Sequence, residues 1–218
     1  MLSVTAVIIN YRTPDLTCQA VESFRSFYPD ADLLLIDNGS ADQSVQLLKR
    51  FETATPAHTR FIINSTNLHH GPAMDQAIRA SKSELVFFLD SDCIVRGGGF
   101  LETMQHILSS QKENYAIGKR IFMNSRGFDI AESPAAIPYI RPYCLMIKRE
   151  LYVTLPPFNK HGAPCLANMQ MAWERRFALH HFPVDEYVEH KGRGTASRHG
   201  YHLGLRGKMN HLLNKFGL

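Results

Sequence analysis

The sequence predicts an α/β fold, a doubly wound, mostly parallel sheet flanked by helices in a single domain. Three observations carry this. Four apolar, β-branched runs end at a polar residue, and each is separated from the next by a helical segment opened by turn or cap residues. The runs are nearly continuous in apolar character, as suits strands covered on both faces. The 218 residues are 44% hydrophobic and 20% charged, enough apolar material for one sizeable core, and no linker divides them.

The first strand is expected at Val4-Thr5-Ala6-Val7-Ile8-Ile9-Asn10. Thr13-Pro14-Asp15 then sets a cap residue before a proline at the first helical position, predicting a helix to about Phe27. Tyr28-Pro29-Asp30 is a turn, and Asp32 to Asp37 is the second strand. The loop Asn38 to Asp42 caps a helix from Gln43 to Glu52. Arg60 to Asn64 is a third strand, and Asn67 and Gly71 lead into a helix from Pro72 to Ser81. Leu85 to Asp90 is the fourth strand. In such a sheet ligands bind at the carboxyl ends of the strands, where Asn10, Asp37 and Asp90 stand.

Beyond Asp92 the alternation weakens. A helix is expected over Phe100 to Ser109, strands over Tyr115 to Met123 and Tyr143 to Ile147, and a long loop near the site over Asn124 to Pro142. Trp173 and its neighbouring Phe residues are expected in the core.

Leu89-Asp90-Ser91-Asp92 is the most informative segment, because a buried strand ends in two carboxylates one residue apart. Oxygen ligands so placed suit a hard divalent cation that also holds a phosphate. Cys18, Cys93, Cys144 and Cys165 are scattered, without metal-ligand spacing, and read as buried free thiols. The net charge of +4 is uneven: Tyr187 to Leu218 holds six basic residues against Glu189 alone, a net +5, and the remainder is −1. That tail suits an anionic partner, whether diphosphate, lipid headgroup or nucleic acid, or else a solvated helix face. Met1-Leu2-Ser3 leads straight into the first apolar run, and no apolar stretch approaches the ~20 residues that span a bilayer. A cytoplasmic protein, or one peripheral to a membrane, is the expectation.

Val7-Ile8-Ile9-Asn10-Tyr11, Leu35-Ile36-Asp37-Asn38-Gly39-Ser40-Ala41-Asp42, Asn67 with Gly71, and Leu89-Asp90-Ser91-Asp92 stand in the order found in family 2 glycosyltransferases, and the chain resembles that family over residues 4–95 and more loosely beyond. The resemblance implies a GT-A (Rossmann-like) fold and transfer of a sugar from a nucleotide-sugar donor, most simply a UDP-sugar, to a hydroxyl acceptor with inversion. The acceptor would be a saccharide, a lipid-linked sugar or another hydroxyl; a hydroxylated base in DNA, or a binding module without transfer, are the alternatives. Residues 1–95 would form the nucleotide-sugar half, 96–198 the acceptor half and 199–218 a basic C-terminal helix within one domain.

The resemblance also implies residue roles. Asn10, Tyr11, Arg12 and Asp37 would bind the nucleotide, with Asn67, Gly71, Asp90 and Ser91 completing the donor site. Asp90 and Asp92 would hold Mn²⁺ or Mg²⁺, with His190 completing the coordination, and Lys191, Arg193 and Arg198 would clamp the diphosphate. The helix after the glycine loop reads Met74-Asp75-Gln76 and lacks the family's usual basic phosphate contact, for which His69 or His70 would substitute. The acidic pair that supplies the catalytic base should precede a helix ending near His181, yet Cys165 to Met171 has no carboxylate. Asp129, Glu132 and His161 are the expected candidates for the base. Tyr201, Leu205, Met209, Leu212 and Phe216 recur at helical spacing, so the C-terminal helix would dock on the domain or lie on an anionic membrane.

Overall fold

The computed structural model describes residues 2–159 and 162–192; His161, Arg193, Arg198 and the C-terminal helix lie outside them. Strands β1 (Val4–Asn10), β2 (Asp32–Asp37), β3 (Thr59–Ile63) and β4 (Leu85–Leu89) alternate with helices α1 (Pro14–Phe27), α2 (Ser44–Ala54) and α3 (His70–Ala80). There follow β5 (Cys93–Val95), α4 (Phe100–Ser110), β6 (Asn114–Met123), β7 (Ile137–Lys148), α5 (Arg149–Tyr152), α6 (Leu166–Glu174), β8 (Ala178–His181), a 3₁₀ turn (Val184–Glu186) and β9 (Val188–His190). The seven-stranded sheet has the order β3-β2-β1-β4-β7-β6-β8, and β5 pairs with β9 in a two-stranded ribbon. Within the large sheet β7 runs antiparallel to β4 and β6, and every other pair is parallel. The doubly wound, mostly parallel sheet is thus as expected.

Apolar runs on β1, β2 and β4 feed two cores because successive side chains on a strand point to opposite faces. Ala6, Ile8, Leu33, Leu35, Leu85 and Phe87 pack with Phe24 of α1 and Phe100 of α4. Val7, Leu34, Ile36, Val86 and Phe88 pack with Met74 and Ile78 of α3 and Met169 of α6. A strand covered on both sides shows no polar alternation, which is why these runs read as continuous.

Four expectations are corrected. The loop after β6 ends at Ile137, where β7 begins, so Asn124 to Pro142 is not one long loop. Prolines hid the strand, since each lacks a ladder donor. Pro138 pairs in register with Phe122, and Pro142 falls in the stretch where the register shifts between Ile140 and Leu145. The helix expected to end near His181 ends at Glu174; Arg176 takes a left-handed φ of 63°, and His181 closes strand β8. Strands β5, β8 and β9, of three or four residues, are too short for a period to show. Trp173 is 53% exposed, because α6 buries Leu166, Met169 and Ala172 instead. Of the four free cysteines, Cys93, Cys144 and Cys165 are buried and Cys18 is partly exposed. Among the described residues, no helix is long and apolar enough to cross a membrane.

Candidate active site

The carboxyl ends of β1 and β2 are level, Asn10 opposite Asp37 in register. Asn10 Nδ2 donates to Asp37 Oδ1 at 2.7 Å and to Ser40 Oγ at 3.1 Å, and Thr17 Oγ1 donates to Asn10 Oδ1 at 2.8 Å. Ser40 returns two bonds to Asp37, from its backbone N at 3.0 Å and its hydroxyl at 2.5 Å. Asn10 and Asp37 are 0% and 1% exposed, so their polar atoms organise the 38–42 loop from beneath. Ser40 in turn accepts from the Arg12 backbone N at 2.9 Å and, through its carbonyl, from Arg12 Nε at 3.2 Å.

A cleft of ≈ 1440 Å³ opens above these strand ends. Tyr11, Arg12 and Asn38 line it from β1 and β2, Asn67, His69 and His70 from the start of α3, and Asp90, Ser91 and Asp92 from the end of β4. Asn10, Asp37, Gly71, Lys191 and Glu132 are not among its lining residues. Gly71 is buried in α3, Glu132 is exposed on the loop after β6, and Lys191 Nζ donates to Gln19 on α1 at 2.5 Å. A smaller depression of ≈ 540 Å³ between α1 and α2 shares only Arg12 with the cleft.

Backbone strain concentrates at the cleft. Arg12, His69 and Ala163 hold φ of 56°, 67° and 45°, in the left-handed region that costs an L-residue about 1–3 kcal/mol. An amide network holds the second of these turns: Asn38 Nδ2 donates to Asn67 Oδ1 at 3.1 Å, which also takes the His69 backbone N at 2.7 Å.

Two carboxylate–imidazole pairs face the cleft. His70 Nε2 lies 3.8 Å from Asp90 Oδ1, and His190 Nε2 lies 3.3 Å from Asp92 Oδ1. The second pair is fixed by the small ribbon: Cys93 and His190 oppose each other in register, and the Lys191 backbone N donates to the Asp92 carbonyl at 2.9 Å. Desolvation pushes the Asp90 carboxyl up, with His70 opposing and Asp92 reinforcing the shift. The hydrogen bond to Asp92 holds the His190 imidazole above its ordinary value despite burial. Among the described residues, Asp92, Cys93 and His190 bring one ligand atom each to within 4.8 Å of one another.

Apart from Asp129, residues that the sequence did not single out form the facing wall. The Tyr143 ring stacks on His190 at 4.8 Å, and its hydroxyl donates to Asp185 Oδ1 at 2.6 Å. Lys119 Nζ pairs with Asp185 Oδ2 at 2.5 Å, and Arg141 pairs with Asp129. These partners are separated by 12 to 66 residues, so no local spacing reveals them. Apolar Ile121, Met123, Phe128 and Tyr139 complete the wall, with Gly162, Ala163 and Pro164 beside them. At the N-terminal end of α6, Cys165 to Asn168 carries no carboxylate.

A sequence model of the family described as "Glycosyl transferase family 2" matches residues 5–175, most of the chain. The fold is similar to that of the mannosyltransferase PcManGT from Pyrobaculum calidifontis, solved with GDP-Man and Mn²⁺. The two are 16% identical with a TM-score of 0.67, over 90% of this chain and 59% of that one. S. aureus TarS 1-349 with UDP matches at 12% identity and TM-score 0.58, over 86% of this chain and 60% of that chain. GalNAc-T7 with UDP, GalNAc and Mn²⁺ matches at 13% and 0.63, over 80% and 40%. The chain therefore spans about three-fifths or less of the length of these structures. No curated protein matches the chain in sequence.

Proposed function

Because the chain belongs to glycosyl transferase family 2, we propose that it transfers a sugar from a UDP-sugar to an acceptor hydroxyl, with inversion and with the help of a divalent metal ion. The observation that carries this reading is the placing of Asp90, Asp92 and His190 together on the cleft, at the strand ends where a doubly wound sheet binds its ligand. The complexes of similarly folded proteins, one with GDP-Man and two with UDP, support a nucleotide-sugar donor, and two of the three hold Mn²⁺.

A carboxylate oxygen and an imidazole nitrogen 3.3 Å apart, on hydrogen-bonded backbone, fit a first-row divalent cation. Asp92 and His190 would hold Mn²⁺ or Mg²⁺, and Asp90 would take part directly or through water. When bound, the ion would neutralise charge on the departing diphosphate. Tyr11 and Arg12, whose guanidinium lies 5.3 Å from the Tyr11 ring centroid, would flank the base. Asn67 and Ser91 would contact the donor from the cleft wall, with His70 near the phosphates. Asn10, Asp37 and Gly71 would act by shaping the loops that carry these contacts.

Inversion needs a base for the acceptor proton. Of the candidates offered by the sequence, Asp129 lines the cleft, with Arg141 fixing its position, and we assign it this role. The lack of a carboxylate at the start of α6 favours a second reading, a nucleotide-sugar-binding module without transfer. Calorimetric titration with UDP and Mn²⁺, together with assay of UDP release from UDP-sugars, separates them. Asp92→Ala is expected to weaken metal-dependent UDP binding by about tenfold or more; unchanged binding overturns the donor site. Binding without turnover in the native protein would establish the second reading.

A further inference from the structure

The ribbon of β5 and β9 places a thiol where an oxygen-preferring cation has no use for one. Asp92 stands immediately before β5, Cys93 opens it, and His190 closes β9 directly opposite Cys93. Their carboxylate oxygen, sulfur and ring nitrogen lie within 4.8 Å of one another. The Asp92 and His190 atoms are 3.3 Å apart, and the buried Cys93 Sγ contacts the Tyr143 carbonyl at 3.7 Å. Such a donor set is mixed in hardness. Carboxylate and imidazole serve Mn²⁺, but an additional thiolate moves the preference toward thiophilic ions, and tetrahedral coordination leaves one position for an outside ligand.

We propose that this ribbon is also a site for a thiophilic divalent cation, Zn²⁺ or its spectroscopic stand-in Cd²⁺, held by Asp92, Cys93 and His190. The inference rests on the reading of Asp92 and His190 as metal ligands and adds Cys93 to them. Binding breaks the S–H bond: the proton goes to solvent, the sulfur keeps the electron pair and donates it to the metal, and no oxidant is involved. The cost of carrying a thiolate inside the protein is offset by the dication, which deprotonates a coordinating thiol outright. Zn²⁺ and Mn²⁺ therefore compete for the two shared ligands.

The test is titration of the full chain, carrying Cys18→Ser to remove the more exposed thiol, with Cd²⁺ alone. The thiolate-to-cadmium charge-transfer band in the ultraviolet is the readout. One equivalent of Cd²⁺ is expected to give the band, only a large excess of Mn²⁺ to weaken it, and Cys93→Ser to abolish it while Cys144→Ser retains it. His190→Ala and Asp92→Asn, which keep Cys93, should each raise the apparent Cd²⁺ dissociation constant by about tenfold or more, so the proposal stays testable if Cys93→Ser fails to fold. A band that survives Cys93→Ser, a band lost in Cys144→Ser, or Cd²⁺ affinity indifferent to His190→Ala overturns it. The two readings fail separately. Absence of the band in a protein that still binds UDP with Mn²⁺ removes only the thiophilic site, and a band without UDP binding removes only the donor reading.

Discussion

Asp185 illustrates how single residues set the site. Its carboxylate accepts from Tyr143 and pairs with Lys119, while Tyr143 stacks on His190. The Lys119 bond, then the Tyr143 bond, hold its carboxyl below the usual range. A lowered folded-state value means that the native protein binds fewer protons than the unfolded chain, so this contribution is present above the ordinary Asp range and is lost as pH falls through the folded value. Asp185→Asn should therefore flatten the acid limb of the stability–pH curve and leave its neutral limb unsloped by this group. The effect is modest because the pair is exposed. Denaturant titrations from neutral pH to below the Asp range check this, and an unchanged acid limb would contradict it. No local pattern marks Asp185, because its partners come from β6 and β7.

Among the elements, the turn after β2 decides the shape of the cleft beside β1 and β2, the side proposed to hold the nucleotide. Gly39 has φ of 74°, and a Cβ there would come within 2.3 Å of the Thr66 carbonyl carbon, which is backbone and cannot swing away. Gly39→Ala should cost on the order of 2 kcal/mol or more. Gly162→Ala, where an added Cβ would meet none of the described residues within 4 Å, should be nearly neutral in stability. Paired chemical-denaturation curves check the contrast, and equal costs would contradict the close approach. The turn itself was legible as Asn38-Gly39-Ser40, a composition that permits left-handed backbone. What it packs against was not, because Thr66 and Asn67 arrive from beyond β3. The strands of the first half were legible for the same local reason, whereas β7 was obscured by Pro138 and Pro142, whose tolerance depends on the neighbouring strand.

For the whole molecule, the cleft joins two halves of one sheet: the proposed donor side from β1, β2 and β4, and the facing wall from β6 and β7. A ligand that binds only the native state stabilises it by mass action, about 2.7 kcal/mol at 100 times its dissociation constant. With UDP and Mn²⁺ at that level the melting temperature should rise by roughly 5–10 °C for a chain of this size, and chelation of the metal should cancel the rise. A shift of equal size in excess chelator would argue against metal-assisted binding. By itself the sequence determined the alternation of strands and helices to Asp92, the strand-end carboxylates and the lack of an acid before α6, because these depend on residues adjacent in the chain. Only the tertiary structure decided that Asn10 and Asp37 are turned beneath the loop, that Lys191 reaches α1 and that Glu132 stays outside the cleft. It alone set Cys93 opposite His190 and raised the wall of Tyr143, Asp185 and Lys119, whereas the pairing of Asp92 with His190 was already expected from the family resemblance. Such contacts are fixed by the sheet order and the β5–β9 register, which unite residues far apart along the chain through packing that no local pattern encodes.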